Sequence, residues 1–285
     1  MMKKTFICAS LLLGAFAVVS CSNDSPGAEA EGTKVMIDLS TDLSFSGTRS
    51  ADTRAINESA YKDITKYNVT LTKTVGNQTV HSAVYSEWNL AYQVEPGTQY
   101  TLSASYGEDA PASYDKLLVS GSETFVPQAG ATKVVSFQCK PKAAKVNVVF
   151  DSTFDKYYSD ATVSIKTKHM TDAVTMSKAN VGQDLYLKAD ADGEDVALEF
   201  TIKDKSGKPI TVEGMTNQKT VKVRPQTLLK LTFKPNVTEI EGGKFGVTIN
   251  VDTNLKDEDV NIVLPNTVFK LSLIHISEPT RLRCI

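Results

Sequence analysis

From Thr33 onward the chain is a succession of short segments in which apolar and polar side chains alternate, rich in Val, Ile, Thr, Tyr and Phe and separated by Gly, Pro, Asn and Asp. The clearest are YNVTLTK (67–73), QYTLSAS (99–105), TKVVSFQ (132–138), KVNVVF (145–150), ATVSIKT (161–167), VALEFTIK (196–203) and KFGVTINV (244–251). A period of two puts one face of each segment in a core and the other in water. No stretch of helical period reaches twelve residues. These features predict an all-β protein of Greek-key β-sandwiches, not alternating βαβ units.

The alternating segments also repeat. KVMIDLSTDL (34–43), KVNVVFDSTF (145–154) and KFGVTINVDTNL (244–255) each join a Lys to an alternating strand and an Asp/Ser/Thr turn. YKDITKYNVTLTK (61–73) and YYSDATVSIKTK (157–168) follow the first two, and TKVVSFQCKP (132–141) and TLLKLTFKP (227–235) close each half. The repeat predicts two tandem sandwiches, 33–141 and 142–268, with 244–264 completing the second or opening a further unit. Within the first, Pro96-Gly97 suits the centre of a type II turn, where Pro presets φ and Gly supplies φ > 0.

The two ends read differently from this body. Lys3 and Lys4 precede an uncharged, largely apolar run from Phe6 to Val19, shorter than the roughly twenty residues a bilayer-spanning helix needs. Residues 1–20 therefore read as a secretory signal. The run ends in Val18-Val19-Ser20-Cys21, similar to the lipobox of bacterial lipoproteins, in which the Cys is diacylated and becomes the new N-terminus. Residues 21–32 read as the lipidated Cys and a flexible tether, SNDSPGAEAEG, which cannot pack a core. At the other end, residues 271–281, LSLIHISEPTR, match the translation of a transposase-type sequencing adapter. Residues 271–285 are accordingly read as non-native, and the native sequence as ending at or before Lys270.

Charge and chemistry exclude more than they identify. Without Lys3, Lys4, Glu278, Arg281 and Arg283 the chain holds 27 basic and 32 acidic residues, a balance unsuited to nucleic acid. Cys139 is the one cysteine of the folded body, so no intrachain disulfide is expected; it shares a strand face with Val135 and Phe137 and reads as buried filler. His81 and His169 fit no metal or triad spacing and read as exposed strand ends. Asp190, Asp192, Glu194 and Asp195, and again Asp257, Glu258 and Asp259, lack the loop of an EF-hand and read as solvated hairpin turns. No catalytic residue, metal or cofactor is expected, and a hydrolase is the weakest reading.

Two groups of residues remain as candidate sites. Tyr85, Trp88 and Tyr92 carry rings that can stack on sugars or anchor an interface, or that fill the core where alternate residues point inward. Arg49 and Arg54 share one Gly/Ser/Thr/Asp/Ala stretch, FSGTRSADTRAINES (45–59), although Arg224 is the only other Arg outside the tail. The stretch reads as an exposed loop, carrying either two solvated arginines or a site of proteolytic nicking.

The lipobox, the early strand followed by a Thr-Arg pair, YKDITKYNVTL, the P-G-T turn with its ASYG sequel and KVNVVFDSTFDKYYSD together resemble a family of Bacteroidota lipoproteins, domain of unknown function 4493. That family is akin to fimbrillin-like surface proteins with prealbumin-like modules. The resemblance implies a non-enzymatic, lipid-anchored outer-membrane protein at the cell surface, an adhesin or a fimbria-like structural or accessory subunit. In fimbrillin-like proteins an Arg-specific cut after the first strand opens a groove for a neighbour's strand, which here would remove the strand at 34–40. The alternative is a carbohydrate- or protein-binding module of a nutrient-uptake system. Partners are therefore the membrane through Cys21, other surface or pilus subunits, or a glycan.

Overall fold

The computed structural model describes residues 32–45, 57–88, 92–210, 217–238, 244–252 and 257–264. Its first eight strands are β1 (Lys34–Thr41), β2 (Asn68–Lys73), β3 (Gln78–Val84), β4 (Tyr92–Gln93), β5 (Tyr100–Gly107), β6 (Ala112–Ser113), β7 (Leu118–Phe125) and β8 (Thr132–Pro141). Lys142 alone separates β8 from β9 (Ala143–Phe150). There follow β10 (Asp160–Lys166), β11 (Val174–Met176), β12 (Leu185–Lys188), β13 (Glu194–Lys203), β14 (Gln218–Val223), β15 (Leu228–Thr238), β16 (Lys244–Asp252) and β17 (Asp257–Leu264). Helix among the described residues is confined to short turns such as α1 (Phe154–Tyr157), and none is long and apolar enough to cross a membrane.

One pattern of strand pairing occurs twice. The antiparallel strands β3-β2-β5-β7 in the first half correspond to the sheet β11-β10-β13-β14 in the second. In the facing layer β8 lies parallel to β1, which pairs antiparallel with β4; correspondingly, β15 lies parallel to β9, which pairs antiparallel with β12. In the first half β7 also pairs with β8, Val119 opposite Pro141 and Ser120 opposite Lys140, so its two layers are one continuous seven-stranded sheet. The hydrophobic periodicity explains the layering. Val35 and Leu39 of β1 and Val135 and Cys139 of β8 point inward against Val69 and Leu71 of β2 and Leu102 of β5, and all are buried in one cluster. Val146 and Val148 of β9 meet Ile165, Leu198 and Phe233 in a second. Each is a two-layer core of the kind a β-sandwich requires.

The halves differ where the second sheet is extended. The β16–β17 hairpin adds to the outer edge of β15, and the short β6, which leaves the first half between β5 and β7, pairs with β12. Asp257, Glu258 and Asp259 thus begin β17 instead of forming a turn, because backbone pairing with Val251, Asn250 and Asp252 continues through them.

Two glycines shape the first half. Gly97 has φ +76, the value the Pro-Gly turn demands. Gly107, at the end of β5, has φ +93, and a Cβ there would lie 1.9 Å from the Leu117 carbonyl oxygen, so only glycine lets β5 close against the start of β7. Beside it the buried Tyr67 hydroxyl donates to the Tyr61 carbonyl at 2.7 Å, fixing the entry to β2.

Candidate functional site: the first strand and its anchors

β1 is held unequally on its two sides. Along one edge it pairs with β8 over eight residues, from Lys34 opposite Thr132 to Thr41 opposite Cys139. Along the other, only Lys34 and Val35 pair, with Gln93 and Tyr92 of β4. Beyond Val35 that edge has no strand partner among the described residues. Val35 and Leu39 fill the core while Met36, Asp38 and Ser40 face outward, so β1 is both a core element and a near-edge strand.

The chain leaves β1 through a well-anchored turn. The Asp42 carboxylate accepts from the Ser44 amide at 3.1 Å and the Ser44 hydroxyl at 2.6 Å, and these bonds hold the carboxyl below its ordinary pKa. Gln226 of the second half donates from Nε2 to the carbonyls of Asp42 (3.2 Å) and Ser44 (2.8 Å). Phe45 is buried, its ring 6.0 Å from that of Tyr186 on β12 and 4.4 Å beneath Lys145 Nζ on β9. Arg49 and Arg54 lie outside the described residues, as does Cys21.

The chain resumes at Asn57, and Glu58 returns to the same place. Its Oε1 lies 2.5 Å from Lys145 Nζ and accepts from the Tyr186 hydroxyl at 2.6 Å. Lys145 is buried, with Asp184, itself buried, at 3.4 Å. Burial, reinforced by the adjoining Glu58 carboxylate, pushes the Tyr186 phenol far above its usual range. Both ends of the Arg-bearing segment therefore converge on one buried Lys/Tyr pair contributed by the second half. Periodicity gives no sign of this: in KVNVVF the Lys145 face alternates with the core face, and it is buried because the first half covers it.

The aromatic candidates meet on the flank of the first half. Trp88 is 6% exposed and belongs to the core, and its indole N–H is buried without a hydrogen bond. Tyr85 and Tyr92 are half-buried against that core. His81 stacks on Tyr92 at 4.6 Å and tilts against Trp88 at 4.8 Å. His81 is thus not an exposed strand end: it covers the ring face that a sugar would otherwise use. Next to it lies an open groove of about 480 Å³ lined by Lys73, Gln78, Gln93, Glu95 and Tyr100.

His169 and Glu194 also depart from the sequence reading. His169 is half-buried, its Nε2 lying 3.2 Å from Asp190 Oδ1 and 3.3 Å from Glu194 Oε2. Asp192 and Asp195 are exposed, as expected of a hairpin turn, but Glu194 is 1% exposed because it opens β13 on the inward-facing phase of the strand. Cys139 is buried, and desolvation pushes its thiol up to about 11.

A family model described as "Domain of unknown function (DUF4493)" matches residues 36–266, most of the chain and all but the first two residues of β1. The chain belongs to the DUF4493 family. No curated protein matches it. Among solved structures, this DUF4493 chain is similar to a proposed cell adhesion protein from Bacteroides eggerthii, at 12% identity and a TM-score of 0.40, covering 85% of this chain and 98% of that one. It is also similar to proposed polysaccharide-binding proteins from Bacteroides thetaiotaomicron (10% identity, TM-score 0.41, 81% and 98% covered) and to a proposed adhesin from Bacteroides ovatus (10%, 0.40, 83% and 98%).

Proposed function

We propose that this DUF4493 chain is a non-enzymatic lipoprotein, held to the outer membrane by acyl chains on Cys21, displayed at the cell surface and serving as an adhesin or a pilus-like subunit with a removable first strand. The observation that carries the reading is the unequal attachment of β1: a full ladder to β8, a two-residue pair to β4, and a chain that then runs into the segment bearing Arg49 and Arg54. Loss of 34–40 would strip Val35 and Leu39 from the core and uncover the backbone edge of β8, which a strand from another subunit could occupy.

Limited digestion with an Arg-specific protease, followed by size-exclusion chromatography, tests it. Cleavage in the wild type should shift monomer to multimer, and Arg49→Ala/Arg54→Ala should stay intact and monomeric. Cleaved protein that keeps its strand and remains monomeric would sink the subunit reading. Mass spectrometry of the membrane fraction tests the anchor separately: an acylated Cys21 N-terminus supports it, and a soluble protein beginning at unmodified Ser22 or later removes it.

A second reading, a glycan-binding module, draws on the groove beside β4, where Gln78, Gln93, Lys73 and Glu95 offer both donors and acceptors. Retention on a polysaccharide column that Gln93→Ala abolishes would favour it.

A further inference from the structure

We infer that His169, Asp190 and Glu194 form a binding site for a zinc-class divalent cation, built between the turn after β10 and the β12–β13 turn. One ligand atom from each of the three residues lies within 4.8 Å of the others. Bonds of 2.0–2.2 Å to a tetrahedral zinc place neighbouring ligand atoms about 3.3–3.6 Å apart. The His169 Nε2 separations, 3.2 Å to Asp190 Oδ1 and 3.3 Å to Glu194 Oε2, fall at the short end of that spacing. One imidazole with two carboxylates suits zinc and its first-row neighbours better than calcium, which takes oxygen ligands alone.

The buried carboxylate is the independent observation. Glu194 is 1% exposed, and its Oε2 has no well-aligned hydrogen-bond donor in the buried site, only ionic contacts to His169 Nε2 at 3.3 Å and Lys168 Nζ at 3.2 Å. Its other oxygen accepts from the Lys168 amide at 3.3 Å, which fixes the carboxylate in that orientation, as the outer partner of a metal ligand does. A tight turn closed by the Gly193 amide on the Asp190 carbonyl, at 3.0 Å, sets both acidic ligands four residues apart on the same side. Among the described residues Lys168 is the cation that competes: its Nζ pairs with Asp190 Oδ2 and forms an ion pair with Glu194 Oε2 at 3.2 Å. Being 60% exposed, it can swing into water when a divalent ion enters.

Untagged full-length protein, stripped with EDTA, is titrated with zinc chloride by calorimetry and with Co2+ by visible absorption. We expect one equivalent of zinc and a low-symmetry Co2+ spectrum in the wild type, at least tenfold weaker zinc binding in His169→Gln and Glu194→Gln, and tighter binding in Lys168→Ala. At free zinc a hundred times Kd the unfolded fraction should fall about a hundredfold. Wild type that takes up no zinc at millimolar concentration overturns the site, leaving only an ion-pair cluster. So does His169→Gln binding zinc as tightly as wild type, a comparison that holds even if Glu194→Gln fails to fold.

Discussion

Glu58 Oε1 lies 2.5 Å from Lys145 Nζ, and this contact joins the re-entry of the chain after the Arg-bearing segment to the first strand of the second half. Because the same ammonium sits 4.4 Å from the Phe45 ring, the two ends of 46–56 are fastened at one point. A cut within that segment would leave Phe45 still docked beside Tyr186. Strand loss would therefore need the Phe45 and Gln226 contacts to open as well as the β1–β8 ladder.

Breaking this point should be costly. Lys145→Met leaves Glu58 and the buried Asp184 carboxylate facing an apolar side chain, and removal of one partner of a buried ion pair typically costs about 3–5 kcal/mol. Glu58→Gln, on the more exposed partner, should cost less. Guanidinium denaturation of both variants measures the difference, and equal midpoints would contradict it.

The Gly107 backbone makes a second prediction. Gly107→Ala places a Cβ 1.9 Å from the Leu117 carbonyl at φ +93, and the strain and displacement together should cost at least about 2–3 kcal/mol. Gly97→Ala has similar positive φ but open space around the new Cβ, so its cost should be smaller. Thermal melts of the pair separate steric closure from backbone conformation.

What the sequence reveals and what it conceals divide along local and non-local physics. Alternation in β1, β2, β5, β8, β10 and β13 is visible because each strand sees a core on one face and water on the other. Lys145 escapes that logic: its strand is covered on both faces near its start, and the second cover comes from a residue, Glu58, far away in the chain. Glu194 is concealed for a related reason, since four acids within six residues look like a solvated turn while only strand phase decides which one turns inward. β6, two residues long, pairs across the halves with too short a pattern to be read at all.

Acid should destabilise the protein partly through Asp42. Its folded pKa is lowered by the Ser44 bonds, so its contribution is present above the unfolded carboxyl value, about 3.9, and is lost as pH falls through the lower folded value. Urea midpoints compared near pH 7 and pH 3 should fall further for wild type than for Asp42→Asn, which lacks the contribution at both.

Cys139 should be chemically silent in the native state. With burial pushing its thiol up to about 11, far fewer native than unfolded molecules carry the reactive thiolate at about pH 8.5. Alkylation followed by peptide mapping should label Cys139 quickly in guanidinium and very slowly without it; equal rates would mean that the site opens readily.

The parallel pairing of β1 with β8 has a mechanical side. Tension between the chain before Lys34 and the chain after Pro141 pulls the two strands past one another lengthwise, so the ladder from Lys34 to Thr41 is loaded in shear and its bonds resist together instead of peeling one by one. Since β9 and β15 are also parallel, and Lys142 alone links β8 to β9, the second half meets the same pull in the same geometry. A body tethered at one end and gripped at the other would thus have two shear clamps in series, each strongest along the line on which such a load arrives.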